Sequence, residues 1–131
     1  MSTIVVGYVP NALGDAALAA AIDEAGRRAA KLLVVNATRA DRLVDPGYAD
    51  AADVARLEAV LGGAGVGFSI RHGISDGLPA EEVLDAAEES DAELIVIGVR
   101  NRTPVGKLLL GSTAQTILLS APCNVLAVRQ P

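Results

Sequence analysis

The chain has 131 residues; 51% are hydrophobic, only 2% are aromatic, and the formal net charge is -5. That length suits a single domain spanning 1–131, and an acidic balance with neither a basic tail nor aromatic–basic interleaving argues against DNA or RNA as a partner. A single cysteine, Cys123, excludes a disulfide framework or a cysteine metal set; no basic region precedes the first apolar run, and no run nears the roughly 18 residues of a membrane span, so the expectation is a cytoplasmic domain with no membrane partner.

Thr3 to Val9 (Thr-Ile-Val-Val-Gly-Tyr-Val) is almost continuously apolar and β-branched, the pattern of a strand buried on both faces. Pro10-Asn11 breaks it, and Asn11 suits a helix cap. Leu18, Ile22, Ala25 and Ala29 then recur at helical spacing, with Asp23, Glu24, Arg27 and Arg28 on the other side. That predicts an amphipathic helix of about five turns. Lys31 to Asn36 reads as a second buried strand and Ala37 to Gly47 as a surface loop. A second helix places Val54, Leu57, Val60 and Leu61 on one face and ends at Gly62-Gly63. Val66, Phe68 and Ile70 alternate with Gly67, Ser69 and Arg71, which marks a strand nearer a sheet edge.

Gly73 to Gly77 reads as a loop. Pro79 occupies a first-turn position, with Glu81 and Glu82 placed favourably for the helix dipole. Ala80, Val83, Leu84 and Ala87 give this third helix its buried stripe. Asp91 to Ile97 is a fourth strand, Thr113 to Leu119 a fourth helix stopped by Ala121-Pro122, and Asn124 to Val128 a fifth strand. Strands alternate with helices throughout, which predicts an α/β domain with a mostly parallel sheet and helices on both faces. Ligands of such sheets sit beyond the carboxyl ends of the strands, where the strand order reverses. The loops after the first and fourth strands are the unusual ones, so the switch point is expected there.

Gly98 to Ser112 is the stretch richest in chemistry. It holds three glycines and the cations Arg100, Arg102 and Lys107, without an acid, in an acidic chain. A cationic glycine-bearing loop leading into a helix start is suited to an anion. Ser112-Thr113-Ala114-Gln115 fits a capping box, so Ser112 is expected to cap the fourth helix with or without a ligand. The loop is not a P-loop, since Gly106-Lys107 is followed by Leu108. His72, the only histidine, is followed by Ser75 and Asp76, which read as turn residues rather than a triad. Cys123, Tyr48 and Phe68 read as packing residues. No catalytic or metal-ligating set stands out. The last strand, Val125-Leu126-Ala127-Val128, is uninterrupted by charge. At a sheet edge it would need cover, for which the same strand of a second subunit is the symmetric solution; a central position would hide it equally well.

These residues resemble the universal stress protein family. The resemblance is carried by the Gly98–Ser112 loop, by Ala121-Pro122-Cys123-Asn124-Val125-Leu126-Ala127-Val128, by Ile4-Val5-Val6-Gly7, by Gly77-Leu78-Pro79-Ala80 and by Ala92-Glu93-Leu94-Ile95-Val96-Ile97-Gly98. It implies a Rossmann-like, open five-stranded parallel sheet of order 3-2-1-4-5 with four helices, and a homodimer, often through the last strand, here Asn124–Val128. It also implies ATP, with Mg²⁺ accompanying it, bound through a Gly-x2-Gly-x9-Gly-Ser/Thr pattern. Here the pattern runs Gly98-x2-Asn101-x9-Gly111-Ser112, with Asn101 in the place of the second glycine. Asn tolerates positive φ better than other non-glycine residues. A second departure is Val9, which stands where nucleotide-binding members carry an Asp that contacts the nucleoside. Val35 matches a position whose backbone meets the adenine.

The resemblance therefore implies a stress-response regulatory protein. Its adenine nucleotide would be held by Gly98, Gly111, Ser112 and Thr113 at the phosphates, with charge from Arg100 and Lys107. A nucleotide-independent dimeric interaction module is the alternative that the Val9 and Asn101 departures favour. A slow ATPase is the third reading, for which the sequence names no base.

Overall fold

The computed structural model describes residues 2–9, 11–39, 51–75, 79–99 and 111–129, without the side chains of 37–39, 51 and 72–75. Five parallel strands form one sheet of order β3-β2-β1-β4-β5. They are β1 (Thr3–Gly7), β2 (Lys31–Arg39), β3 (Phe68–Ser75), β4 (Leu94–Val99) and β5 (Asn124–Arg129). The helices are α1 (Ala12–Arg28), α2 (Ala51–Ala64), α3 (Pro79–Ser90) and α4 (Ser112–Ser120).

Alternation along the strands divides the core between two faces. Ile4, Val6 and Tyr8 pack with Ala17, Leu18, Ala21 and Ala25 of α1 and with Leu57 and Leu61 of α2. Val5, Val35, Ile95 and Ile97 pack with Ala80, Val83, Ala86 and Ala87 of α3 and with Ile117 of α4. The scarcity of aromatics is thereby explained, because alanine stripes let α1 and α3 lie close on a sheet of Val and Ile. Each fully buried Val, Leu or Ile contributes roughly 1.5–3 kcal/mol. Among the described residues no helix is long and apolar enough to cross a membrane.

Several boundaries differ from the sequence reading. β1 stops at Gly7 rather than Val9, and β4 runs Leu94–Val99 rather than Asp91–Ile97. Gly98 is therefore a strand residue, not part of the loop. α2 runs through Gly62-Gly63, whose helical backbone needs no special conformation; the left-handed residue is Gly65, at φ 73°. Val60 is 47% exposed, so it lies off the buried stripe set by Leu57 and Leu61. β3 is an edge strand, as its alternation predicted, and it extends to Ser75 where a loop was expected from Gly73. β2 extends three residues past Asn36, because Ala37, Thr38 and Arg39 pair with Gly73, Ile74 and Ser75. The remainder of the expected 37–47 loop and Tyr48 lie outside the described residues. β5 takes an edge, and none of its residues is fully buried, in contrast to β1 and β4.

Candidate functional site

A cleft of about 430 Å³ opens beyond the carboxyl ends of β1 and β4, the switch point of the sheet. Its volume falls in the roughly 300–1,000 Å³ range of small-molecule sites. Six segments build it: the end of β1 through Val9, the first turn of α1, Val35 of β2, the start of α3, the end of β4 and the start of α4.

The wall is apolar. Val9, Leu13, Val35, Pro79, Val83 and Ile97 line it. Gly7 keeps the floor low; a Cβ there would touch Ile97 Cγ2 at 3.5 Å and Val83 Cγ2 at 3.6 Å. Tyr8, the next residue, turns its side chain to the opposite face, where it is 3% exposed and its hydroxyl accepts a hydrogen bond from Arg56 Nη2 at 3.2 Å. Burial pushes the Tyr8 phenol pKa up. The ring is thus out of the cleft while the Tyr8 backbone stays at its rim.

Two helix starts meet here, and they differ. Asn11 caps α1 as expected, its Oδ1 accepting the Gly14 N–H at 3.0 Å. Helix α4 has Gly111 as its N-cap and no side-chain cap hydrogen bond. The expected capping box is therefore absent: Ser112 is the first helical residue, one position too late to cap, and its hydroxyl is exposed. The Ser112 carbonyl instead accepts from Thr116 Oγ1 at 2.9 Å. Helices α1, α2 and α3 each carry an acid in the first turn (Asp15; Asp53; Glu81 and Glu82), and α4 carries none. The first amides of a helix lack intrahelical partners and concentrate positive dipole. Among the described residues that field at α4 is neither capped by a side chain nor offset by a first-turn carboxylate, and Gly111, Ser112 and Thr113 line the cleft.

Two glycines owe their identity to packing. A Cβ on Gly14 would lie 1.7 Å from the Val9 carbonyl oxygen. A Cβ on Gly98 would lie 2.7 Å from both the carbonyl oxygen and the Cγ of Leu13. Gly14 and Gly98 thus allow the first turn of α1 to press against the ends of β1 and β4. The sequence reading passed over Gly14, whose signal is a glycine in the first turn of a helix, three residues after its Asn cap.

One end of the cleft rests on β2. Val35 lines it, but the Val35 carbonyl accepts the Tyr8 N–H at 2.9 Å, committing that backbone to β1. Lys31 N–H bonds to Ser2 and Leu32 N–H bonds to Gly67 on the other side, so odd-numbered residues of β2 face β1. Ala37 is the next odd residue, and the described pairing of β2 with β1 has by then ended. The Tyr8 carbonyl there accepts from Nδ2 of the fully buried Asn36 at 2.9 Å. Asn36 thus ties the end of β2 to the Tyr8 carbonyl beside the cleft, a contact that the sequence reading did not anticipate.

Of the sequence-expected site residues, the structure brings Val9, Val35, Gly98, Gly111, Ser112 and Thr113 to one cleft. Arg100, Asn101 and Lys107 lie outside the described residues. His72 pairs across β2 with Asn36, and Cys123 is half-buried with its thiol pKa raised by burial. The described residues contain no group of three or more His, Cys, Asp or Glu that would hold a metal ion. In the described part of the cleft lining, Ser112 and Thr113 offer hydroxyls and no residue offers a carboxylate. Mg²⁺ is usually held by one or two carboxylates plus phosphates; these residues fit the phosphates of a nucleotide better than the ion itself.

Comparison with known proteins bears on the family and the fold. The model of the universal stress protein family matches residues 1–129. A universal stress protein of Mycolicibacterium smegmatis is 51% identical over 127 residues, covering 96% of each chain. The structure of a universal stress protein from Archaeoglobus fulgidus superposes with a TM-score of 0.77 at 24% identity, covering 98% of both chains. A universal stress protein solved in complex with cAMP superposes with a TM-score of 0.76 at 27% identity, covering 99% of this chain and 98% of that one.

Proposed function

The chain belongs to the universal stress protein family, and from that premise we propose that it is a stress-response regulatory protein that binds an adenine nucleotide such as ATP in the cleft at the switch point. The observation that carries the proposal is the start of α4: it opens into that cleft without a side-chain cap and without the first-turn acid that the other three helices have. A phosphate completes such a helix start through the free amides and the dipole. Gly111, Ser112 and Thr113 would hold the phosphates, and Arg100, Asn101 and Lys107 would complete the phosphate end. The apolar wall of Val9, Val35, Val83 and Ile97 would take the base and sugar by dispersion.

The end of β2 would supply the base selectivity in this reading: Val35 lines the cleft there, and Ala37, two residues on, is the next residue whose backbone faces the β1 side. One N–H and one C=O side by side complement the N1 acceptor and N6 amino donor of adenine, and mismatch guanine. The related structure with cAMP supports an adenine ligand of this general kind. Mg²⁺, when present, would arrive on the phosphates of ATP. The test is calorimetric titration with ATP, AMP and GMP. The adenine nucleotides should release heat and GMP should not; absence of heat with millimolar ATP and AMP would refute the proposal.

The proposal extends to a homodimer through Asn124–Val128. β5 lies at the sheet edge with Val125, Leu126 and Val128 only partly buried, and on α4, which precedes it in the chain, Leu119 is 87% exposed. An uncovered apolar edge strand is a template for another strand.

A further inference from the structure

Resting on the reading of the cleft as an adenine-nucleotide site, we infer that Val9 makes the site indifferent to the ribose hydroxyls, so that 2′-deoxynucleotides bind as well as ribonucleotides. The order of the central strands decides what lies beneath each part of the ligand. On that reading the base lies over the end of β2, where Val35 lines the cleft, and the phosphates lie at the start of α4, which follows β4. β1 lies between β2 and β4. The sugar must therefore cross the end of β1, over a span of roughly 10 Å set by two strand spacings.

The residue at that crossing is Val9, half-buried on the cleft wall. Its side chain presents methyl groups. Its carbonyl is turned into α1, accepting the Asn11 N–H at 2.8 Å and filling the space that a Gly14 Cβ would need. The neighbouring carbonyls are also engaged: that of Tyr8 accepts from Asn36 Nδ2, and that of Val35 from the Tyr8 N–H, each at 2.9 Å. Asn11, which also lines the cleft, has its Oδ1 on the Gly14 N–H, so among the described residues a ribose hydroxyl set down over Val9 gains no acceptor that water did not already give it. A deoxyribose loses nothing by lacking it. Selection for a hydroxyl arises where a site is built to bond it, and an apolar surface discriminates far less.

The experiment is calorimetric titration of the full chain with AMP and with 2′-deoxy-AMP, repeated on Val9→Asp and Val9→Thr. The ratio of the two affinities is the readout, because a new carboxylate repels both phosphates alike. The wild-type affinities should agree within about threefold, and Val9→Asp should shift the ratio toward AMP by about tenfold, the effect of one hydrogen bond to a charged acceptor. Val9→Thr is nearly isosteric and folds without repacking; it should shift the ratio in the same direction by a smaller factor. A wild-type preference for AMP of about tenfold or more would overturn the inference and leave nucleotide binding standing. The inference also fails if both variants melt as folded proteins and neither changes the ratio. Absence of heat with either nucleotide would instead remove the nucleotide reading itself, and the inference with it.

Discussion

The position of Gly14 in the first turn of α1 admits no side chain, since the Val9 carbonyl oxygen lies 1.7 Å from where its Cβ would be. Gly26, in the same helix, is exposed and has nothing within 4 Å of that point. Two substitutions of identical chemistry should therefore act in opposite directions. Gly14→Ala should lower stability by about 3 kcal/mol through overpacking against backbone. Gly26→Ala should raise it by about 0.5–1 kcal/mol by restricting the unfolded chain. Urea titration of both variants checks this, and equal effects would contradict the packing account. Tyr8 gives a second residue-scale prediction. Its phenol pKa is raised from 10.0, first by burial, with Arg56 opposing. The sign follows from linkage: the unfolded chain loses the proton before the folded one, so the stabilisation is complete below pH 10 and falls as pH rises through the folded value. Melting temperatures taken from about pH 9 to about pH 11 should decline less steeply for Tyr8→Phe than for the parent.

At the scale of elements, the start of α4 would be the anion seat on the proposed reading, and the helix itself should be improvable there. Gly111 has φ -69° and open space where a Cβ would lie, so a residue with a capping carboxylate fits without strain. Gly111→Asp should stabilise the ligand-free protein by about 0.5–1 kcal/mol through the cap and the dipole. The same substitution should weaken AMP binding by about tenfold, because its carboxylate takes the amides and repels the phosphate. Calorimetry and thermal melting on one sample separate the two effects; tighter binding would count against the anion seat. The element pattern was legible where one physical signal dominated. β-branched runs marked β1, β2 and β4, alternation marked the β3 edge, and Pro79 with Glu81 and Glu82 marked the start of α3. The far end of β2 was hidden because Ala37-Thr38-Arg39 pairs on one side only and has no reason to be apolar. The cap of α4 was misplaced by one residue because Gly111 and Ser112 are both good cap residues, and only the backbone decides between them.

At the scale of the molecule, the alternation of strands and helices was enough to foresee a parallel sheet with helices on both faces. What composition could not show was how the two helix starts at the switch point divide their roles, since Gly14 and the Asn36–Tyr8 bond act through contacts distant in sequence. The proposed dimer belongs to this scale as well. Sedimentation equilibrium at micromolar concentration should give twice the chain mass, and a monomer at that concentration would rule out the β5 edge as a stable interface. The unequal helix starts also carry a consequence for how ligand length is perceived. α1 is closed by Asn11 and followed by Asp15, whereas α4 is open. On the proposed reading a nucleotide can lie only one way round, adenylate inward and phosphate at α4. Additional phosphates then extend outward past the cleft instead of deeper into it, so mono-, di- and triphosphates share one buried half. The fold would recognise the adenylate, and any sensitivity to energy charge would have to be read at the rim.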